Sequence, residues 1–502
     1  MNFTSVEQAI DAFRQLEELL SAYDHVMGVT YLDAATAAPK GSYEGRGRTL
    51  GVLTKVTYDL TAREENGQLL EFLENHVAEL DAQTKREVEL LRKRYDQIHR
   101  IPQQEYVEYS VLVNDAQAVW EKAKNDNDFS LFAPYLEKIV DFNIRFAGYY
   151  QPDMEPYDAL LNEYEEGLNM QTLDAFFEQL RAAIVPLVDK ITRAAPVDDS
   201  FLKKVYPIDK QKAFSDYLME VMGLDRSHCG IAESEHPFTI NFNTKDVRIT
   251  THYHEDAVAS SMYSVIHEGG HALYELGGDP KYDFTFVYGG VSMGIHESQS
   301  RFYENIIGRS LSFIRYIYPK MKELFPEQLE GVTAEMFYRA VNKAEPSLIR
   351  TEADDLTYAL PVMVRYEIEK KLISGKLKVA DVPAEWNRLY KEYLGVDVPN
   401  DTLGCLQDSH WSGGSIGYFP SYALGSAYGP QLLHKMQQQI GSVDALVENG
   451  HLCEITGWLR ENIHRHSSLY KPGELFEMVC GKFDAKYYTD YLTEKYSALY
   501  SL

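Results

Sequence analysis

The sequence predicts a mainly α protein: a large helical body cleft by a deep groove, with a small antiparallel β-sheet beside one helix. Long runs of apolar residues recur at helical spacing with few interior prolines, and strand signals are sparse outside one short segment. At 502 residues and 45% hydrophobic composition the chain can also bury a large core.

In chain order the helical runs are Ser5–Leu20, Leu69–Arg100, Thr172–Ala195, Asp256–Leu276, Glu335–Gly375 and Asp444–Arg465. The strand segment is Phe238–Asn243, a polar Thr244-Lys245 turn, then Asp246–Tyr253; its alternation and β-branched content read as a hairpin. No linker, internal repeat or low-complexity tract breaks the chain. We therefore divide it only into an N-terminal helical half, residues 1–200, forming one groove wall, and a second half, residues 201–502, carrying the chemistry.

That chemistry centres on His267-Glu268-Gly269-Gly270-His271 within the run Asp256–Leu276. Residues four apart on a helix lie one above the other, so both imidazoles can reach one ion at the ~2.0–2.1 Å of Zn–N bonding. Glu268 then stands to one side, where its carboxylate can take a proton from water activated by the ion and later give it to a leaving amine. Given 15 His and 76 acidic residues, such a pattern arises by coincidence about 0.07 times in a chain of this length. Val258, Met262, Val265, Ile266, Leu273 and Leu276 recur at helical spacing and would bury the opposite face.

A catalytic zinc needs a third protein ligand and an open position. Tyr274 and Gly277 exclude a third histidine on the metzincin spacing. Glu275 continues the series, but eight residues of helix rise about 12 Å, too far to share one ion. It reads as an outer-shell or surface residue. Glu297 is the better candidate, opening a second helix-like run through Phe302, Ile306 and Ile307 after a glycine-rich turn. Asp279, Asp283 and Glu304 remain alternatives, and His296 could stand behind the ligands.

Beyond this helix the chain carries, in order, His236-Pro237-Phe238, Asp246-Val247-Arg248-Ile249-Thr250, His296-Glu297-Ser298-Gln299, Ile349-Arg350-Thr351-Glu352-Ala353-Asp354 and Gly404-Cys405-Leu406-Gln407-Asp408-Ser409-His410-Trp411. With the metal motif, these resemble the signatures of the carboxypeptidase Taq family, and chain length suits that family. The resemblance implies a metal-dependent carboxypeptidase with His267, His271 and Glu297 as ligands, Glu268 as general base, and a homodimeric assembly.

An enzyme that trims C-termini must recognise a free carboxylate, which a guanidinium fork does through paired charge-assisted hydrogen bonds. Arg350 is assigned that role, with Arg248 as competitor; against it stands a structural ion pair of Arg350 with Glu352 or Asp354. A developing oxyanion needs donors, usually His or Tyr in zinc peptidases of this kind. His410, Tyr418 and Tyr422 are candidates, within a glycine-rich stretch, Gln407–Gly425, that reads as a loop able to close over substrate. Among 36 tyrosines, a single one near such a loop is as readily a packing residue. The hairpin beside the metal offers an edge strand for extended peptide, or a purely structural cover.

A net charge of −27 disfavours nucleic acid and anionic membrane surfaces. Four cysteines without CxxC spacing suggest reduced thiols and a cytoplasmic setting. Met1–Gln8 shows no leader pattern, and no run of about 18 apolar residues is present. The expected function is release of single C-terminal residues, with broad specificity, from short peptides bearing a free carboxylate. Zinc is the expected cofactor, with Co²⁺ or Mn²⁺ possible substitutes. The rivals are an endo-oligopeptidase or dipeptidyl carboxypeptidase, and a non-catalytic peptide-binding protein.

Overall fold

Residues 3–502 are described by a computed structural model; Met1 and Asn2, which begin the stretch read as lacking a leader, lie outside them. Helices dominate, and each run expected from periodicity contains helix, but further helices such as Gln103–Asp126 and Phe129–Tyr150 lie outside those runs, and the breaks follow local capping. The first helix, Val6–Thr36, starts where the Ser5 hydroxyl accepts the Gln8 amide, and runs well past Leu20. The expected run Leu69–Arg100 is two helices, Glu64–Asn75 and Ala82–Arg100, because Asp81 caps a fresh start by accepting the Thr84 amide. Glu335–Gly375 divides likewise into Ala334–Val341 and Ala359–Ile373. Asp354 organises the irregular stretch between them by accepting the Leu356 and Thr357 amides. Asp444–Arg465 becomes Val443–Glu448 and Leu452–Asn462, with Gly450 in the left-handed region between them. Among the described residues, no helix is long and apolar enough to cross a membrane.

The sheet has three strands, β1 (Cys229–Glu233), β2 (Thr239–Asn243) and β3 (Asp246–Thr251), in the order β1-β3-β2. The hairpin β2–β3 is antiparallel as predicted, with a register shift between Asn241 and Asn243. The added strand β1 pairs parallel to β3, so the sheet is mixed and not purely antiparallel. Val247 and Ile249 of β3 are fully buried in the main core, while β2 keeps one edge unpaired.

Buried apolar side chains form two clusters. A small one joins residues between Ala9 and Leu91, and a large one spans Ile101 to Leu499, continuing through residue 200. The helix Val258–Leu276 runs through the large cluster.

The two glycines of the metal motif allow close approach on two sides of that helix. A Cβ on Gly269 would meet the Met222 side chain at 2.6 Å, and one on Gly270 would meet the Gln299 carbonyl oxygen at 2.7 Å. Backbone cannot swing aside as a thioether can. Gly270→Ala is therefore expected to push apart the helices carrying His271 and Glu297 and destabilise the protein by about 1–3 kcal/mol; urea unfolding measures this.

Candidate active site

Three side chains converge from two helices. His267 and His271 lie one turn apart on Val258–Leu276, and Glu297 lies on Met293–Arg301, whose N-terminus is capped by the Ser292 hydroxyl. Glu297 Oε2 is 3.6 Å from His267 Nε2 and 3.6 Å from His271 Nε2. The three ligand atoms lie within 4.8 Å of one another. Donors ~2.1 Å from a tetrahedral ion stand roughly 3.4 Å apart, so this trio suits a divalent metal. The helix contact that brings Glu297 here is reinforced by Gly425, where a Cβ would stand 2.5 Å from the Glu297 Cβ.

Each inward-facing imidazole is held from behind through Nδ1. His267 Nδ1 is 2.8 Å from Glu304 Oε2, while His271 Nδ1 is 2.6 Å from His296 Nδ1, whose Nε2 reaches Glu275 Oε1 at 2.7 Å. Glu275, rejected on distance as a ligand, and Glu304, kept as an alternative one, therefore both back a histidine. Such partners fix the tautomer that leaves Nε2 free to ligate. Burial, with His296 and His267 alongside, holds the His271 imidazole well below its ordinary pKa and so uncharged. Burial also opposes a charge on His267, but Glu297 and Glu304 outweigh it and raise its pKa. Glu297 Oε1 accepts from Arg301 Nε at 2.8 Å, which turns its other oxygen toward the histidines. Asp279 and Asp283 serve elsewhere, capping Lys281 and holding Thr244.

Glu268 is 7% exposed, and its Oε2 accepts a 2.6 Å hydrogen bond from Thr239 on β2. Burial raises its pKa, against the opposing pull of His267 and the Thr239 hydrogen bond, the direction a general base near neutral pH requires. Thr239 escaped notice in the sequence because nothing in its spacing relates it to residue 268.

Two cavities, of about 660 and 690 Å³, meet at Pro237, His267, Glu268, Glu297 and Tyr422. The first is lined further by Thr239 and Asn241 of β2, Gly289, Gly290 and Tyr418; the second by Arg301, Arg309, Arg350 and Tyr358. Arg350 is 5% exposed, and its ion-pair partner is Asp408, at 2.8 Å, and neither Glu352 nor Asp354. Arg365, fully buried, holds the other Asp408 oxygen at 2.5 Å. Against their burial, these two guanidiniums keep Asp408 well below the usual carboxylate range. Arg248 lines neither cavity; Asp246 holds it bidentately at 2.8 Å for both bonds.

The aromatic wall differs from the single mobile loop expected over Gln407–Gly425. The chain turns helical at Pro420, so Tyr422 and Gly425 sit on the helix Pro420–Ile440. Glu369 fastens the remaining turns by accepting from Trp411 Nε1 at 2.7 Å and the Gly417 amide at 2.9 Å. Tyr418 and Tyr422 face the first cavity with rings 4.9 Å apart. His410 lines neither cavity, and its Nε2 lies 3.3 Å from the Tyr422 hydroxyl. Burial lowers its pKa to about 4, leaving it neutral at pH 7.

The carboxypeptidase Taq (M32) metallopeptidase profile matches residues 12–496. The chain belongs to that family. Carboxypeptidase 1 of Bacillus subtilis is 41% identical over 492 residues, covering 98% of both chains. Thermostable carboxypeptidase 1 of Pyrococcus furiosus is 35% identical over 501 residues, again covering 98% of each. The crystal structure of the M32 carboxypeptidase from Deinococcus radiodurans, 35% identical, superposes with a TM-score of 0.95 over 99% of this chain and all of its own. M32 membership makes this a metallocarboxypeptidase, and a divalent metal belongs to its chemistry. In this M32 chain, His296→Ala is expected to weaken metal binding about 10- to 100-fold through loss of the His271 partner; chelator competition measures it.

Proposed function

We propose that this M32 enzyme removes single C-terminal residues from short peptides with broad side-chain tolerance, using zinc held by His267, His271 and Glu297. The observation that carries the C-terminal assignment is the charge balance behind Arg350. Two buried guanidiniums share one carboxylate, Asp408, which leaves a surplus positive charge beside the cavity that Glu268 and His267 also line. An uncompensated buried charge is costly, and a substrate carboxylate docking on Arg350 would neutralise it.

When bound, the metal would act as a Lewis acid, polarising the scissile carbonyl and making water a competent nucleophile. Glu268 would accept the proton of the attacking water and pass it to the leaving amine, with Thr239 holding one carboxylate oxygen in place. Tyr422, on a rigid helix, and Tyr418 would donate to the developing oxyanion. His410 would orient the Tyr422 hydroxyl from behind. The unpaired edge of β2 would bind the residues preceding the cut through main-chain hydrogen bonds, independent of side-chain identity. The first helix, Val6–Thr36, closes this side: the Phe242 ring packs on His25 at 4.6 Å, and Phe238 on Tyr31 at 5.3 Å. The four free cysteines fit a cytoplasmic setting. A homodimer is carried on family grounds and is tested by light scattering.

Mass spectrometry of peptides with free or amidated C-termini, incubated with metal-loaded and chelator-treated enzyme, tests the reading. Stepwise, metal-dependent loss of single residues, abolished by amidation, is expected. Internal cleavage indifferent to amidation would make it an endo-oligopeptidase instead, and no cleavage under any metal would revive the peptide-binding reading.

A further inference from the structure

Glu165 lies outside every motif that marks the site, one residue past the N-terminal-half helix Pro156–Tyr164. It is 3% exposed and, among the described residues, forms no ion pair. Its Oε2 instead accepts the Gly294 amide at 2.9 Å, in the first turn of the helix that presents Glu297. Its other oxygen, Oε1, is buried without a hydrogen-bond partner among the described residues, with Ser292, cap of that same helix, and Tyr428, on the Tyr422 helix, nearby. The fit is close: a Cβ on Gly294 would stand 2.7 Å from Oε2.

A buried carboxylate without a cation is unfavourable, and unsatisfied amides at a helix start are among the few partners that offset it. The contact sits three residues before Glu297. The neighbouring Tyr164 ring lies 5.0 Å from that of Tyr418, so Tyr164-Glu165 touches both the Glu297 helix and the aromatic wall.

We propose that Glu165 is a positioning residue for the metal centre: by holding Gly294 it fixes the height and rotation at which the helix presents Glu297, and it ties the N-terminal half to that helix. This rests on Glu297 being a ligand, as proposed above.

The test compares Glu165→Ala and Glu165→Gln with the parent. Zn²⁺ affinity is read by competition with a chromogenic chelator, alongside kcat, KM and thermal melting. Glu165→Ala is expected to lower Zn²⁺ affinity about tenfold to hundredfold, the range for outer-shell partners, and to reduce kcat at unchanged KM. Glu165→Gln, which retains an oxygen for the Gly294 amide, should restore most of both. Parental affinity in a folded Glu165→Ala protein, or equal loss in both variants, would overturn the assignment. Should Glu165→Ala not fold, Gly294→Ala, whose Cβ displaces Oε2, should show the same loss, and unchanged affinity there would equally overturn it. A Glu297→Ala protein that still binds Zn²⁺ like the parent would sink the ligand reading itself, whatever Glu165 does.

Discussion

Glu268→Gln is expected to leave the metal bound and reduce kcat by about 10²–10⁴-fold, the span attributed to a positioned general base. Metal affinity should hold because Glu268 is not part of the His267, His271 and Glu297 trio. The fold should hold as well, since glutamine is close to isosteric and can keep a hydrogen bond with Thr239 in place of the present 2.6 Å contact. What disappears is a group able to carry a proton between water and amine. Metal content by plasma emission spectroscopy, read beside peptide turnover, separates this outcome from loss of the metal. Substantial turnover in the metal-loaded variant would remove Glu268 from the mechanism.

Arg350→Met should produce the second large effect, in recognition. Loss of one buried, charge-assisted partner costs about 2–5 kcal/mol, so kcat/KM on free peptides should fall about 30- to 5,000-fold. The distinction between free and amidated C-termini should vanish with it. The protein itself should tolerate the change, because Asp408 keeps Arg365 and the surplus positive charge is gone. Retained discrimination against amidated peptide would return Arg350 to a structural role with Asp408.

The sequence displays the metal helix plainly because its evidence is local: two histidines one turn apart, a carboxylate between them, and apolar residues on the opposite face. Glu297 is legible for a similar reason, standing at the start of a run with helical spacing. Glu304 is harder. A backing carboxylate and a ligating one look alike until the structure shows which imidazole nitrogen faces inward, and here Nδ1 meets Glu304. Asp408 lies inside a recognisable motif, yet its bond to Arg365 spans 43 positions with no periodic signal. β1 is five residues long and partners a strand 18 positions downstream in parallel register, so tertiary contact alone defines it. Helical runs merge where periodicity persists across a cap, as at Asp81.

The unpaired edge of β2 has one further consequence. Open strand edges invite association with other molecules, and proteins usually blunt them with charge, proline or a covering element. Here the edge lies in a cleft, against the His-Glu helix on one side and the Phe242 and Phe238 contacts to the first helix on the other. These contacts place the unpaired amides and carbonyls of β2 between covering helices instead of on an open face. On the proposed reading, the cleft that would receive an extended peptide also shields this one edge from the sheet of a second molecule.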